Sequence, residues 1–119
     1  MAAILVVEDD ADVAALLRMR LDAAGHAVRV ASDGEEGLAL AQAGGVDLVI
    51  LDWMLPGRSG IEVCEALRAD PVFRGRILML TARAKDSDRQ QALAAGADEF
   101  VTKPFSPREF VARVAELLT

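Results

Sequence analysis

Short apolar runs alternate with helical patterns along the whole chain, and this alternation limits the folds that the chain can adopt. Each run is followed by a stretch in which apolar residues recur every three or four positions, as they do on one face of a helix. Strands that alternate with helices form a parallel sheet with right-handed crossovers. The sequence therefore predicts an α/β fold, a five-stranded doubly wound parallel sheet with strands at residues 2–7, 26–31, 46–51, 76–81 and 98–102.

The composition of the strands predicts their order in the sheet. Strands one, three and four are continuously apolar, as strands covered on both faces should be. Strand two carries Arg29, and strand five carries Asp98, Glu99 and Thr102, so these two strands fit the edges. The flavodoxin-like order 2-1-3-4-5 satisfies this pattern. Ligands bind in such sheets at the carboxyl ends of the strands, beside the switch point between strands one and three.

Capping signals predict where three helices begin. Ser32 and Glu35 form a candidate capping box for the second helix. Ser59 is predicted to open the third helix. Ser106 and Glu109 form another candidate box for the last helix, with a proline at its first position.

Size, charge and cysteine content restrict the class of protein. The chain has 119 residues, which predicts a single domain over residues 1–119. Cys64 is the one cysteine, so an internal disulfide framework is excluded. The formal net charge of −6 argues against direct binding to nucleic-acid phosphates. We expect a cytoplasmic protein that does not bind membranes, because no apolar run approaches about 20 residues and the N-terminus lacks a basic signal region.

Three carboxylates are predicted to meet at the switch point. Glu8 and Asp9 directly follow strand one, and Asp52 ends the strand-three run VDLVILD. Clustered carboxylates repel one another, and a divalent cation relieves that repulsion. Mg²⁺ binds through one or two carboxylates and keeps several waters. The cluster therefore predicts a site for Mg²⁺ or Mn²⁺, to which a backbone carbonyl after Asp52 could contribute.

A hydroxyl and an ammonium are predicted at the same edge of the sheet. Thr81 ends strand four, and Lys103 follows strand five. Each residue alone is an ordinary choice at a strand end, but their joint placement with the carboxylates is specific. A carboxylate nucleophile, a metal, a hydroxyl and an ammonium together suit phosphoryl transfer, in which positioning and charge neutralisation do most of the catalysis.

The chain resembles the response-regulator receiver domains of two-component signalling over essentially its whole length. The resemblance rests on ILVVEDD (4–10), LVILDWMLPGRSG (48–60), LTA (80–82), GADEFVTKPF (96–105) and SPREFVARV (106–114). It is strongest for the transcription-factor branch with a winged-helix output domain. The resemblance implies a (βα)5 receiver fold that acts as a signalling switch, with no enzymatic activity beyond its own phosphoryl transfer and dephosphorylation.

The resemblance also implies a role for the acidic residues. Asp52 matches the phosphoacceptor of the family. Asp9 and the Met54 backbone carbonyl match metal ligands, and Glu8 matches the residue that holds a metal-bound water. These positions imply that the divalent ion and the phosphoryl group meet at Asp52.

Three further positions match residues that respond to phosphorylation in the family. Lys103 matches the group that neutralises a phosphoryl oxygen, and the bond from Lys103 to Pro104 is implied to be cis. Thr81 matches the hydroxyl that moves onto the phosphoryl group. Phe100 matches the aromatic switch residue of strand five, where many relatives have tyrosine.

The last three elements carry charges of both signs. In the resembled branch such positions join two receivers across a two-fold axis, which implies a homodimer on phosphorylation. The residues that would form this surface are Arg89, Asp98, Glu99, Glu109 and Arg113.

The implied function is a phosphorylation-activated switch that accepts its phosphoryl group from a sensor histidine kinase. Its changed surface would control dimerisation and, in the resembled branch, transcription; DNA would be contacted only through an output domain beyond Thr119. A stand-alone receiver that docks to proteins is the alternative. A Mg²⁺-dependent phosphatase with an aspartyl nucleophile would need a second acid where Met54 stands. A flavin binder is disfavoured because the loop after strand one is acidic.

Overall fold

The computed structural model describes residues 2–119 and shows a single five-stranded parallel sheet with the order β2-β1-β3-β4-β5. Its predicted fold class and strand order are confirmed. Across residues 2–119, none of the helices has both the length and the apolar composition that crossing a membrane requires. The elements are β1 Ala3–Val7, α1 Ala11–Ala23, β2 Ala27–Ala31, α2 Gly34–Gln42, β3 Leu48–Leu51, α3 Gly60–Ala69, β4 Arg76–Thr81, α4 Asp86–Ala95, β5 Glu99–Thr102 and α5 Pro107–Leu117.

Helices cover both faces of the sheet, and each face has its own apolar cluster. Helices α1 and α5 pack on one face, where Leu17, Leu21 and Phe110 are buried against β1, β3 and β4. Helices α2, α3 and α4 cover the other face, with Leu67 and Ala92 among the buried residues. Burial on both faces explains why β1, β3 and β4 consist almost entirely of apolar residues.

One predicted helix start is wrong by a single residue. Helix α2 is capped by Asp33, whose carboxylate accepts the Glu36 backbone N–H at 2.7 Å. The Ser32–Glu35 box does not form; instead the Ser32 N–H donates to the Glu36 side chain at 3.1 Å. Serine and aspartate are both favoured capping residues. Because Ser32 and Asp33 are consecutive, the sequence does not show which of them begins the helix.

The other two predicted starts are confirmed. Ser59 and Glu62 form a reciprocal capping box at α3. At α5 the Ser106 hydroxyl accepts the Glu109 N–H at 3.3 Å. The α3 start fixes where the loop after β3 ends, and that loop borders the predicted site.

Cys64 belongs to the core. Its side chain is fully buried between α3 and α4, and its thiol donates to the Ala95 carbonyl at 3.4 Å. Burial raises the pKa of the Cys64 thiol to about 11. The thiol therefore stays protonated at neutral pH and packs as a small apolar group.

Candidate functional site

The predicted site residues lie at the carboxyl edge of the sheet. Glu8 and Asp9 directly follow β1, Asp52 follows β3, Thr81 is the last residue of β4, and Lys103 follows β5. Parallel pairing places these strand ends side by side, because β1, β3, β4 and β5 are neighbours in the sheet. Glu8 is 3% exposed, Asp52 is 7% exposed and Thr81 is fully buried, so the site is a polar pocket rather than a charged surface.

Lys103 joins two of the carboxylates. Its ammonium donates to Glu8 Oε1 at 2.6 Å and to Asp52 Oδ2 at 2.9 Å. Burial raises the pKa of the Glu8 carboxyl, and the hydrogen bond from Lys103 opposes part of that rise. Burial alone would lower the pKa of Lys103, but its bonds to Glu8 and Asp52 outweigh it and raise the pKa. Lys103 therefore stays charged at neutral pH and compensates the two buried acids.

Glu8, Asp9 and Asp52 could hold a metal ion together. Each offers one carboxylate oxygen, and these oxygens lie within 4.8 Å of one another. Asp9 is exposed, whereas the other two are buried, so an ion would enter from the side of Asp9. An all-oxygen set with few carboxylates and an open side suits Mg²⁺ or Mn²⁺, which keep water ligands.

The loop between β3 and α3 is fixed by close backbone packing. The Gly60 N–H donates to the Trp53 carbonyl at 2.8 Å, and the Met54 N–H donates to Asp52 Oδ1 at 3.3 Å. A Cβ at Gly60 would overlap the Asp52 carbonyl oxygen. Gly34 at the start of α2 makes a similar close approach to the Arg58 carbonyl of this loop. These two glycines, for which there was no signal in the sequence, hold the peptide carrying Met54 in place.

Thr81 and Phe100 are both buried, Thr81 at the end of β4 and Phe100 within β5. The Thr81 hydroxyl accepts the Arg83 N–H at 3.3 Å, and its carbonyl accepts the Lys103 N–H at 2.8 Å. Phe100 is 4% exposed and pairs in register with Met79 of β4, within the cluster covered by α3 and α4. The peptide between Lys103 and Pro104 is cis, as the resemblance implied.

Arg83 is a residue near the site that the sequence analysis missed. Its guanidinium carbon lies 4.4 Å from the centre of the Trp53 ring. The same guanidinium donates to Asp88 of α4, and Asp88 is only 7% exposed. Trp53 directly follows the predicted phosphoacceptor, Asp52. Arg83 therefore connects the loop between β3 and α3, called the acceptor loop below, to α4.

The structure brings together some, but not all, of the residues predicted to form the dimer surface. Glu99 lies near both arginines of the set, 3.2 Å from Arg113 and 3.9 Å from Arg89. Asp98 points elsewhere, since it pairs with Arg68 at 2.6 Å and with Arg76 at 3.6 Å. Its carboxylate also accepts the Ile77 N–H at 2.8 Å. Asp98 thus holds β4, β5 and α3 together, a tertiary contact that its predicted place on strand five did not reveal.

Comparison with known proteins identifies the chain. Residues 4–115 match the model of the response regulator receiver domain. The chain belongs to this family. The pocket at Glu8, Asp9, Asp52 and Lys103 therefore lies within a receiver domain.

Curated proteins similar to this chain include bacterial transcriptional regulators. The receiver domain is 48% identical over 115 residues to the alkaline phosphatase synthesis transcriptional regulatory protein PhoP of Bacillus subtilis, covering 97% of this chain and 48% of the relative. It is 49% identical over 116 residues to the phosphate regulon transcriptional regulatory protein PhoB of Rhizobium meliloti, covering 97% and 51%. The chain thus spans about half the length of these relatives.

Solved structures show the same fold. The receiver domain of the Francisella response regulator 1452 superposes with a TM-score of 0.94 at 30% identity. The alignment covers 99% of this chain and 97% of that one. The sheet and all five helices are therefore typical of a receiver domain.

Removing the ammonium of Lys103 should strengthen divalent-ion binding. Lys103→Ala leaves Glu8 and Asp52 without their cation, so Mg²⁺ should bind at least about fivefold more tightly, since two unit charges about 4 Å apart interact by about 1 kcal/mol even in bulk water. Trp53, the one tryptophan of the chain, provides the fluorescence signal for a Mg²⁺ titration.

The other lysine supplies the control. Lys85 is exposed at the start of α4, and Lys85→Ala removes the same charge away from the carboxylates. The Lys85 variant should bind Mg²⁺ as the unmodified protein does. Equal or weaker Mg²⁺ binding in Lys103→Ala would contradict the assignment of Lys103 as the cation that competes with the metal.

Proposed function

We propose that this receiver domain is a signalling switch that accepts a phosphoryl group on Asp52 with the help of a divalent ion. The observation that carries the proposal is the bridge from Lys103 to Glu8 and Asp52 beside the exposed Asp9. It combines a buried carboxylate nucleophile, a cation in contact with it and an open acidic site. Membership of the receiver family supports the same assignment.

The geometry suits attack by a carboxylate on a phosphoryl group. An Asp52 oxygen would attack the phosphorus of a phosphohistidine, forming an O–P bond as the P–N bond breaks and the imidazole keeps the electron pair. When bound at Glu8, Asp9, Asp52 and the Met54 carbonyl, Mg²⁺ would neutralise charge on the phosphoryl oxygens. Lys103 already contacts Asp52 and would neutralise another of these oxygens. Thr81 supplies a hydroxyl from the adjacent strand end.

Phosphorylation would shift the surface made by α4, β5 and α5. The added group carries about −1.5 to −2 charges at neutral pH, so it competes for the cations and hydroxyls around Asp52. Thr81 is the last residue of β4, at the edge where the pocket lies, and the buried Phe100 is on β5, one of the three elements of that surface. A movement of Thr81 towards the phosphoryl group and a repacking of Phe100 would favour the second arrangement of a two-state surface.

The output of the switch is proposed to be transcription. PhoP and PhoB carry transcriptional regulation in their names and are about twice the length of this chain. We infer that the phosphoryl group comes from a sensor histidine kinase in the cytoplasm and that the active receiver forms a homodimer. In the whole protein, DNA would be bound by an output domain outside residues 1–119, because the receiver itself carries a net charge of −6.

Asp52 should be the residue that is labelled. Acetyl phosphate with Mg²⁺ should add one acid-labile phosphoryl group to the protein, and Asp52→Asn should abolish the addition, as measured by mass spectrometry of the intact chain. Asp47→Asn is the matched control, because Asp47 lies at the opposite end of the same strand and accepts the Ala3 N–H. Stoichiometric labelling of Asp52→Asn at the unmodified rate would disprove the acceptor assignment.

Phosphorylation should produce a dimer that depends on Arg113. In the monomer Arg113 pairs with Glu99 at a half-exposed position, where an ion pair contributes only about 0–1 kcal/mol, so exchanging it for a pair across a two-fold axis costs little. Reversing this charge should weaken the dimer at least about tenfold, since like charges then meet. Sedimentation of the beryllofluoride-treated protein measures the effect.

Arg29→Glu makes the same charge change on β2, at the opposite edge of the sheet from β5. That control should dimerise normally, and both variants should retain phosphorylation of Asp52. High salt should also weaken the dimer of the unmodified protein. An unchanged dimer in Arg113→Glu would exclude this surface as the interface.

A further inference from the structure

Arg83 makes three contacts that connect the acceptor pocket to α4. Its backbone N–H donates to the Thr81 hydroxyl at 3.3 Å. Its guanidinium lies over the Trp53 ring, 4.4 Å from the ring centre, and donates two hydrogen bonds to Asp88 Oδ1, from Nε at 3.2 Å and from Nη2 at 3.0 Å. One residue thus contacts the residue after the acceptor, the hydroxyl beside it and the first turn of α4.

The ion pair between Arg83 and Asp88 differs from an ordinary surface ion pair because Asp88 is largely buried. Its side chain is 10% exposed, and its second oxygen accepts the Lys85 N–H at 3.3 Å at the start of α4. A carboxylate at such a position depends on its cation, because an uncompensated buried charge is strongly unfavourable. Arg83 itself is 44% exposed, so it is the partner that can leave.

Trp53 is the other anchor of Arg83. The tryptophan is only 7% exposed, and its backbone carbonyl accepts the Gly60 N–H. A guanidinium over an indole face gains a cation–π interaction, which is strongest for tryptophan among the aromatic side chains. The stacked guanidinium therefore holds the acceptor loop and the loop after β4 in one relative position.

We propose that Arg83, held by Asp88, is a positioning residue that keeps Trp53, Thr81 and the start of α4 in the unphosphorylated arrangement. The inference rests on the proposed phosphorylation of Asp52. A phosphoryl group there draws the Thr81 hydroxyl away from the Arg83 N–H and competes with Asp88 for the guanidinium. Release of Arg83 then frees the first turn of α4. In this way a change in the pocket reaches the surface made by α4, β5 and α5.

The test compares variants that break the same contact from its two ends. Arg83→Ala removes the cation, whereas Asp88→Asn keeps the cation but removes the charge that holds it. Both should raise the initial rate of Asp52 labelling by acetyl phosphate about three- to tenfold, an effect of the size that a partly exposed cation–π contact supports. The double variant should show no further increase, because both changes remove one contact. Arg83→Lys, which keeps the charge without the planar fork, should label at a rate between that of the unmodified protein and that of Arg83→Ala.

Trp53 fluorescence reports the contact independently of rate. In the unmodified protein, beryllofluoride should change the Trp53 emission as the guanidinium leaves the ring. In Arg83→Ala the emission should already be shifted before treatment and should change little afterwards. Arg76→Ala is the control: it removes an arginine from the opposite end of β4, where Arg76 pairs with Asp98, and should leave both readouts unchanged. A urea titration of each variant shows whether a changed rate reflects lost folding.

The outcomes separate this inference from the proposed function. If the unmodified protein is not labelled on Asp52, the proposed function fails. If it is labelled, but Arg83→Ala and Asp88→Asn keep its rate within twofold and its full emission change, only the role of Arg83 is overturned. A rate that falls in Arg83→Ala and stays constant in Asp88→Asn also overturns it, because Arg83 would then act as an attracting charge for the donor.

Discussion

The ammonium of Lys103 between Glu8 and Asp52 is the interaction on which the site depends. Two carboxylates that are 3% and 7% exposed would otherwise repel each other in a pocket with little water. The ammonium satisfies both at hydrogen-bond distance while the third acid, Asp9, stays exposed. A divalent ion or a phosphoryl group would therefore change a balance of charge that Lys103 already sets.

The sheet brings these groups together from distant parts of the chain. Glu8 and Lys103 are 95 positions apart, yet both lie at carboxyl ends of strands in one parallel sheet. The close packing of Gly60 against the Asp52 carbonyl then fixes the loop that carries Trp53 and Met54. Packing of the sheet fixes where each strand ends, and packing of the loops fixes where the side chains point. The chemistry of the site therefore depends on packing in the sheet and in the loops.

The sequence predicted the parts of the structure that are set by local pattern. Apolar runs and helical periods predicted the strand order, and the strand ends predicted that Glu8, Asp9 and Asp52 would meet. The contacts that were missed depend on side chains reaching across loops. Arg83 is two residues from Thr81 in the sequence, but nothing in the sequence shows that its guanidinium turns towards Trp53 and Asp88.

Asp98 is a second residue whose contacts could not be predicted from the sequence. Its predicted place on strand five fitted a charged dimer surface, but the fold turns its carboxylate towards Arg68, Arg76 and the backbone of β4. Charge pattern alone does not distinguish an acid that faces a partner from one that binds its own chain. Glu99, the next residue, faces Arg113 and remains available for the proposed surface.

Divalent-ion binding tests the central claim most directly, because the acidic cluster must hold an ion before any phosphoryl group arrives. Mg²⁺ should change the Trp53 fluorescence of the unmodified protein in a saturable way, and Asp9→Asn should weaken binding at least about tenfold by removing one charged ligand. Asp12→Asn, an exposed acid in the first turn of α1, should leave the titration unchanged. Saturable binding of equal strength in Asp9→Asn, or no binding in the unmodified protein, would contradict the account.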